Sequence, residues 1–127
     1  MKTKLLTVIA LLFLTITMHA QQIRPVTSNN VDNLIKSNPK IVILDVRTPA
    51  EFSKGHVKGA INIDVRQNDA FSKVDKLDKN KTYLVYCHTR NRSGVMTNYM
   101  INNKFKNVIQ MTDGMAGWEN NKLPLER

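Results

Sequence analysis

Cys87 is the one cysteine of the chain, and it lies in a loop whose composition suits nucleophilic chemistry. The loop follows the apolar run 83–86, and its polar segment 88–93 leads into a helical pattern. In such a strand-to-helix loop several main-chain N–H groups converge on one point, and the start of the helix adds partial positive charge. Arg92 strengthens this field, with Arg90 as a second candidate. A thiol at its centre is expected to ionise readily and to attack sulfur or phosphorus atoms that carry negative oxygens.

Cysteine and histidine usage limits the chemistry further. A lone cysteine cannot form a disulfide within the chain, so Cys87 is either inert or reactive, and its neighbours favour a reactive residue. Three scattered histidines and one cysteine show no metal-ligand spacing. His88 follows the nucleophile directly, and we expect its side chain to point away from the centre of the loop. A thiolate nucleophile needs no separate base once it has formed.

Alternating strand and helix patterns are expected to position this loop. Continuous apolar runs are typical of strands buried on both faces of a parallel sheet. Such runs occupy 41–44, 83–86 and 108–109, and a small strand is expected within 59–63. Helical spacing of apolar residues marks 31–37, 70–77, 93–105 and 114–123. Strands separated by helices predict an α/β fold, in which ligands bind beyond the carboxyl ends of the strands, where Cys87 lies.

Two helices carry more specific predictions. The run Thr48-Pro49-Ala50-Glu51 has the order of an N-cap, a proline at the first helical position and a capping-box glutamate. It therefore predicts the start of a helix, which must be short because Gly55 follows closely. The helix at 93–105 is expected to bury an apolar stripe of Val95, Met96, Tyr99 and Met100.

The first twenty residues have the order of a secretory signal peptide. Lys2 and Lys4 precede an apolar run at 5–17, and Ala20 suits the position before the cleavage site. The apolar run is short for a membrane span, which needs about 20 residues. We expect cleavage between Ala20 and Gln21, a periplasmic or secreted mature protein and no stable membrane span. Retention of the segment as an uncleaved anchor is the alternative.

Residues 21–30 are interpreted as an N-terminal extension, and 31–127 as one domain. The formal net charge of +9 favours anionic partners through long-range attraction. A cluster of lysines surrounds one predicted helix: Lys73, Lys76, Lys79 and Lys81. No alternating aromatic and basic strand pattern accompanies them, so we interpret them as a solvated basic surface and expect no nucleic-acid partner.

Three segments of the sequence, in order, resemble the signatures of the rhodanese homology domain. The first comprises 45–52 and 55–63, and includes Asp45-Val46-Arg47 and Gly55-His56-Val57. The second is Cys87 with Asn91-Arg92-Ser93, which is similar to the active-site loop of the family. The third comprises 113–118 and Leu123-Pro124. Together they cover about 31–124, which is nearly the whole of the expected domain.

This resemblance implies a small five-stranded parallel sheet with helices on both faces. It also implies a sulfurtransferase that moves sulfane sulfur from an anionic donor such as thiosulfate to a thiol or cyanide, or to an acceptor protein. Cys87 would be the catalytic residue and carry the sulfur as a persulfide, with no metal or organic cofactor. The substrate would be bound by the loop residues His88, Thr89, Arg90, Asn91, Arg92 and Ser93.

Two details of the family pattern bear on individual residues. Four residues separate Cys87 from Arg92, as in the sulfurtransferase branch, whereas the related phosphatases have five. Arg90 stands where many family loops have glycine. A left-handed backbone there would cost a residue with a β-carbon roughly 1 kcal/mol. We expect the Arg90 side chain at the rim of the loop, facing solvent.

Asp45 and Arg47 flank the end of the first core strand and are expected to form a supporting ion pair at the edge of the site. His56 lies in a turn, where a hydrogen bond to the backbone is expected.

Two other functions stay open. One is a non-enzymatic persulfide carrier or docking module that hands sulfur to a partner protein. The other is a cysteine-based phosphatase or arsenate reductase, which the short loop disfavours.

Overall fold

The computed structural model describes residues 22–127, so the predicted signal peptide at 1–20 lies outside the described residues. Within them five strands form one sheet: β1 (Arg24–Val26), β2 (Val42–Asp45), β3 (Ile61–Asn62), β4 (Thr82–Tyr86) and β5 (Asn107–Met111). The strand order is β1-β5-β4-β2-β3, and every pair is parallel. The predicted five-stranded parallel sheet is confirmed.

Five helices accompany this sheet: α1 (Ser28–Ser37), α2 (Pro49–Lys54), α3 (Ala70–Asp75), α4 (Asn91–Asn102) and α5 (Gly114–Asn120). All but α2 pack on its two faces. Val74 of α3 and Met96 of α4 pack in one core cluster. Val31 of α1 and Trp118 of α5 pack in a second cluster, on the opposite face. None of the helices in 22–127 has the length and apolar character that a membrane crossing requires.

Strand β4 shows how the sheet positions the cysteine. Successive side chains of a strand point to opposite faces. Tyr83 and Val85 therefore lie in the cluster beneath α3 and α4, whereas Leu84 and Tyr86 lie in the other. Cys87 continues the alternation and belongs to the α3/α4 side. The thiol thus faces the helix that follows its own loop.

Strand β1 lies in the segment that the sequence analysis interpreted as an extension. Arg24 aligns with Ile109 and Val26 with Met111, and α1 already begins at Ser28. A three-residue edge strand leaves little pattern in a sequence, and Pro25 cannot donate a ladder hydrogen bond. The folded domain therefore starts before residue 31.

The apolar stripe predicted for α4 is wrong at one position. Val95 is 54% exposed, whereas Ser93, Met96, Thr97 and Met100 are buried. These four follow the i, i+3, i+4, i+7 spacing of one helical face, and Val95 lies outside it. The small hydroxyl residues allow α4 to pack closely on the sheet, so the buried stripe is rotated away from Val95.

Candidate active site

The loop after β4 is anchored to the first turn of α5. The main-chain oxygens of Cys87 and His88 accept hydrogen bonds of 2.9 Å from the N–H groups of Met115 and Ala116. The close approach requires glycine at 114, which has φ +59°, because a Cβ there would collide with the main-chain oxygens of Cys87, His88 and Thr89. The Gly114-Met115-Ala116 part of the third signature therefore holds the cysteine loop in place.

The predicted loop residues divide into a buried part and an exposed rim. Cys87 is 2% exposed and Ser93 is fully buried, whereas Arg92 is partly buried. The rim consists of exposed residues: His88, Thr89, Arg90 and Asn91. The thiol therefore lies at the bottom of the loop, and a substrate has to reach it past polar side chains.

Arg90 lies on the rim, as expected, but its backbone is not left-handed. Its φ of −143° and ψ of −34° make it the residue before the first turn of α4. The strain that a left-handed backbone would cause at this position is therefore absent, because the loop reaches the helix without a positive φ.

A hydroxyl of α4 contacts the thiol directly. The Cys87 Sγ lies 3.5 Å from the Ser93 Oγ, which also donates a 3.0 Å hydrogen bond to the Arg90 main-chain oxygen. Gln110 of β5 donates to the same hydroxyl at 2.9 Å and to the Arg90 oxygen at 3.1 Å. Sequence analysis missed Gln110, because it lies just after the strand predicted at 108–109 and nothing in the sequence marked it for a role.

Arg92 is held by Glu51, a second residue that sequence analysis missed as part of the site. Two hydrogen bonds, of 2.7 and 2.9 Å, join the guanidinium to the carboxylate. They lower the pKa of Glu51 to about 2, against the opposing effect of burial. The hydrogen bond to Glu51 likewise raises the pKa of Arg92, to which the charge of Cys87 also contributes. The predicted capping box is confirmed, since Thr48 Oγ1 accepts from the Glu51 N–H at 3.2 Å.

The ion pair predicted between Asp45 and Arg47 is confirmed. The Arg47 Nη2 lies 2.7 Å from the Asp45 carboxylate and donates a second 2.7 Å hydrogen bond to the Gly55 oxygen. Both side chains are buried. The pair ties the end of β2 to the turn at Gly55, where the His56 Nδ1 lies 2.9 Å from the Phe52 oxygen, as the expected backbone hydrogen bond requires.

Two cavities among residues 22–127 lie at the other end of the sheet. One of about 560 Å³ is lined by Asn38, Lys40, Asn80, Lys81 and Thr82, near the amino end of β4. It shares no residue with the cysteine loop, so it is not the site of the thiol. Among residues 22–127, no three His, Cys, Asp or Glu side chains group closely enough to hold a metal ion.

Comparison with known proteins gives a consistent result along the chain. The family model of the rhodanese-like domain matches residues 27–121. A Bacillus subtilis (strain 168) protein named as a sulfurtransferase is 28% identical over 103 residues, which are 81% of this chain and 97% of the relative. The thiosulfate sulfurtransferase of Coxiella burnetii (strain RSA 331 / Henzerling II) is 29% identical over 79 residues, which are 62% of this chain and 72% of the relative.

A solved structure shares the fold. The crystal structure of a rhodanese-related protein from Thermoplasma volcanium superposes with a TM-score of 0.71 at 25% identity. The match covers 81% of this chain and 97% of that protein.

Proposed function

The chain belongs to the rhodanese-like domain family, and we propose that it transfers sulfane sulfur from a small anionic donor such as thiosulfate through a persulfide on Cys87. Membership makes it a rhodanese-type sulfurtransferase or sulfur carrier; the donor and the acceptor belong to the proposal. The position of Cys87 is the main support for this proposal. The residue lies at the carboxyl end of β4, in the loop before α4, and its sulfur is 3.5 Å from the Ser93 hydroxyl.

The reaction would run in two displacements. The Cys87 thiolate attacks the outer sulfur of thiosulfate, the S–S bond of the donor breaks, and sulfite leaves with the electron pair. Cys87 then carries one extra sulfur as a persulfide. A thiolate or cyanide attacks that terminal sulfur, the S–S bond of the persulfide breaks, and the Cys87 thiolate is restored. No external oxidant or reductant is needed.

The surrounding residues support this chemistry in different ways. Main-chain N–H groups at the start of α4 favour an anion beside the sulfur. Arg92 adds positive charge, which Glu51 partly neutralises. Exposed Arg90 is placed to attract an anionic donor from solution. An anionic sulfur donor would therefore meet the positive charge of Arg90 at the rim of the loop. The main-chain N–H groups that can bind it lie at the bottom of the loop, beside the thiol.

Steady-state kinetics with thiosulfate and cyanide tests the proposal. Two displacements on one thiol predict a ping-pong pattern, in which the apparent kcat/KM for thiosulfate does not depend on the cyanide concentration. Intersecting lines, from a ternary complex, would contradict the persulfide route. Cys87→Ser is the matched control and should give no transfer.

A protein acceptor is the second candidate, because apolar side chains are exposed beside the loop. Val95 is 54% exposed one turn after Arg92, and Phe71 stacks on Tyr99 one turn further along α4. Such a surface suits contact with a partner that offers a thiol. A sulfur carrier of this kind would form the persulfide but turn over slowly with cyanide, and Val95→Lys would slow transfer to the protein acceptor alone.

We also propose that the mature protein begins at Gln21 and acts in the periplasm or outside the cell, as the signal-peptide order of 1–20 supports. N-terminal sequencing of the protein from fractionated cells tests this, and the full chain in the cytosol would contradict it.

A further inference from the structure

Gln110 is a buried amide near the end of β5, where its neighbours in the strand are apolar. It lies on β5 between Ile109 and Met111, aligned with Val85 of β4, and is 7% exposed. Burying an amide is unfavourable unless its hydrogen bonds are made. Both described side-chain hydrogen bonds of Gln110 are donated to the cysteine loop, at Ser93 and at Arg90. These two hydrogen bonds to the loop therefore explain why an amide is buried in this strand.

The two bonds fix the orientation of the amide. The Nε2 group has two protons, and it donates to the Ser93 Oγ at 2.9 Å and to the Arg90 oxygen at 3.1 Å. Rotating the amide by half a turn would place its own oxygen against the Arg90 carbonyl, so that two acceptors would face each other. Gln110 therefore acts as a donor at both positions.

The Arg90 oxygen receives more donors than it can fully use. Besides Gln110 and the Ser93 hydroxyl, it accepts the Gly94 N–H at 2.9 Å, which is the first bond of α4. A carbonyl oxygen has two lone pairs. Gln110 and Gly94 together can fill both of them, so the Ser93 proton is not required there.

The state of Cys87 determines where the Ser93 proton is needed. A neutral thiol can donate to the Ser93 Oγ, 3.5 Å away. Once the thiol has lost its proton to solvent, the sulfur is only an acceptor, and the hydroxyl has to turn toward it to form a charge-assisted bond. This rotation of the Ser93 hydroxyl breaks no covalent bond. It also leaves the Arg90 oxygen paired, because Gln110 and Gly94 still donate hydrogen bonds to it.

We propose that Gln110 is a positioning residue that frees the Ser93 hydroxyl to donate to the Cys87 thiolate, and later to the inner sulfur of the persulfide. The inference rests on the proposed function in one respect, that the thiolate is the nucleophile. The charged groups near the thiolate include Arg92 on α4 and the Glu51 of α2 that pairs with it, with Asp64 acting on Arg92 from beyond β3. Exposed His88 and Arg90 lie on the rim of the same loop. The pair formed by Asp45 and Arg47 lies at the end of β2. None of these groups changes in the variants below.

Titration of the thiolate by its ultraviolet absorbance tests the proposal on the full mature chain, with Cys87→Ser as the blank. Gln110→Met keeps the length of the side chain and removes both donors. It should move the midpoint of thiolate formation to higher pH by about one unit, the size expected for a lost hydrogen bond to a charged group. Ser93→Ala should move the midpoint at least as far. Ser93→Thr keeps a hydroxyl at this position and should leave the midpoint at its wild-type value.

Thr97 provides the matched control. It is buried on the same helix, and its hydroxyl bonds to the Gly94 oxygen three residues earlier, as Ser93 bonds to the Arg90 oxygen. Thr97→Ala should leave the midpoint unchanged. Thermal unfolding of each variant verifies that the comparison is made between folded proteins.

The double variant Gln110→Met, Ser93→Ala decides between a positioning role and a purely structural one. If Gln110 acts through the hydroxyl, the double variant should titrate like Ser93→Ala alone. Additive shifts, or a Gln110→Met midpoint no different from that of Thr97→Ala, would overturn the proposal. The titration needs no sulfur donor, so its outcome does not depend on the proposed function. A wild-type protein that forms no persulfide would refute the proposed function, and the titration would still test the role of Gln110.

Discussion

Two arginine–carboxylate pairs of similar geometry flank the cysteine loop, and burial separates their roles. In the pair of Arg47 and Asp45 the side chains are 5% and 0% exposed. In the pair of Arg92 and Glu51 they are 17% and 33% exposed. The first pair is enclosed by protein and cannot exchange partners. The second faces the site, so an incoming anion can compete with Glu51 for the guanidinium.

The buried pair should control stability. Asp45→Ala would leave the Arg47 charge buried and unpaired, which is expected to cost about 3–5 kcal/mol in the free energy of unfolding. Chemical denaturation measures this. Lys73→Ala removes the exposed i,i+4 partner of Asp69 and should cost at most about 0.5 kcal/mol. Equal effects of the two substitutions would remove the distinction between the pairs.

The partly exposed pair should control activity. Arg92→Ala removes positive charge beside Cys87, so we expect kcat for thiosulfate to fall by roughly 10–100-fold, which corresponds to about 1.4–2.8 kcal/mol of barrier. The free energy of unfolding should fall by at most about 1 kcal/mol, because the pair is not fully buried. A large loss of stability with kcat unchanged would mean that Arg92 supports the fold and not the reaction.

Acid stability tests the Glu51 side of the same pair. The folded protein holds the pKa of Glu51 at about 2, below its ordinary value of 4.5. Its contribution to stability is therefore present above about pH 4.5 and is lost as the pH falls toward 2. Partial exposure keeps this contribution below about 1 kcal/mol. Glu51→Gln should flatten the stability curve between these two pH values, and an unchanged curve would mean that the pair does not form in solution.

The smallest effect is expected at Arg90, which belongs to neither pair. Arg90→Gly should raise KM for thiosulfate about 2–3-fold at low salt and less at high salt, since attraction at the rim is screened. It should not stabilise the fold, because the backbone at 90 has a negative φ. A loss of kcat as severe as that of Arg92→Ala would place Arg90 inside the site.

The sequence was sufficient to predict four of the five strands and the place of Cys87, because buried strands and a strand-to-helix loop are local patterns. The short edge strand β1 left too little pattern to be predicted. It was also sufficient for the pair of Asp45 and Arg47, which lie two residues apart. Glu51 and Gln110 were missed since they reach the loop from α2 and β5, and only the folded chain brings those elements together. Glu51 was recognised as a helix cap, and its second role left no separate signal.

The proposed persulfide on Cys87 can be detected by intact-mass measurement of the purified protein after exposure to thiosulfate. The wild-type chain should gain the mass of one sulfur atom and lose it on addition of cyanide, and Cys87→Ser should gain nothing. A wild-type mass that does not change, or a gain that persists in Cys87→Ser, would mean that Cys87 does not carry the transferred sulfur.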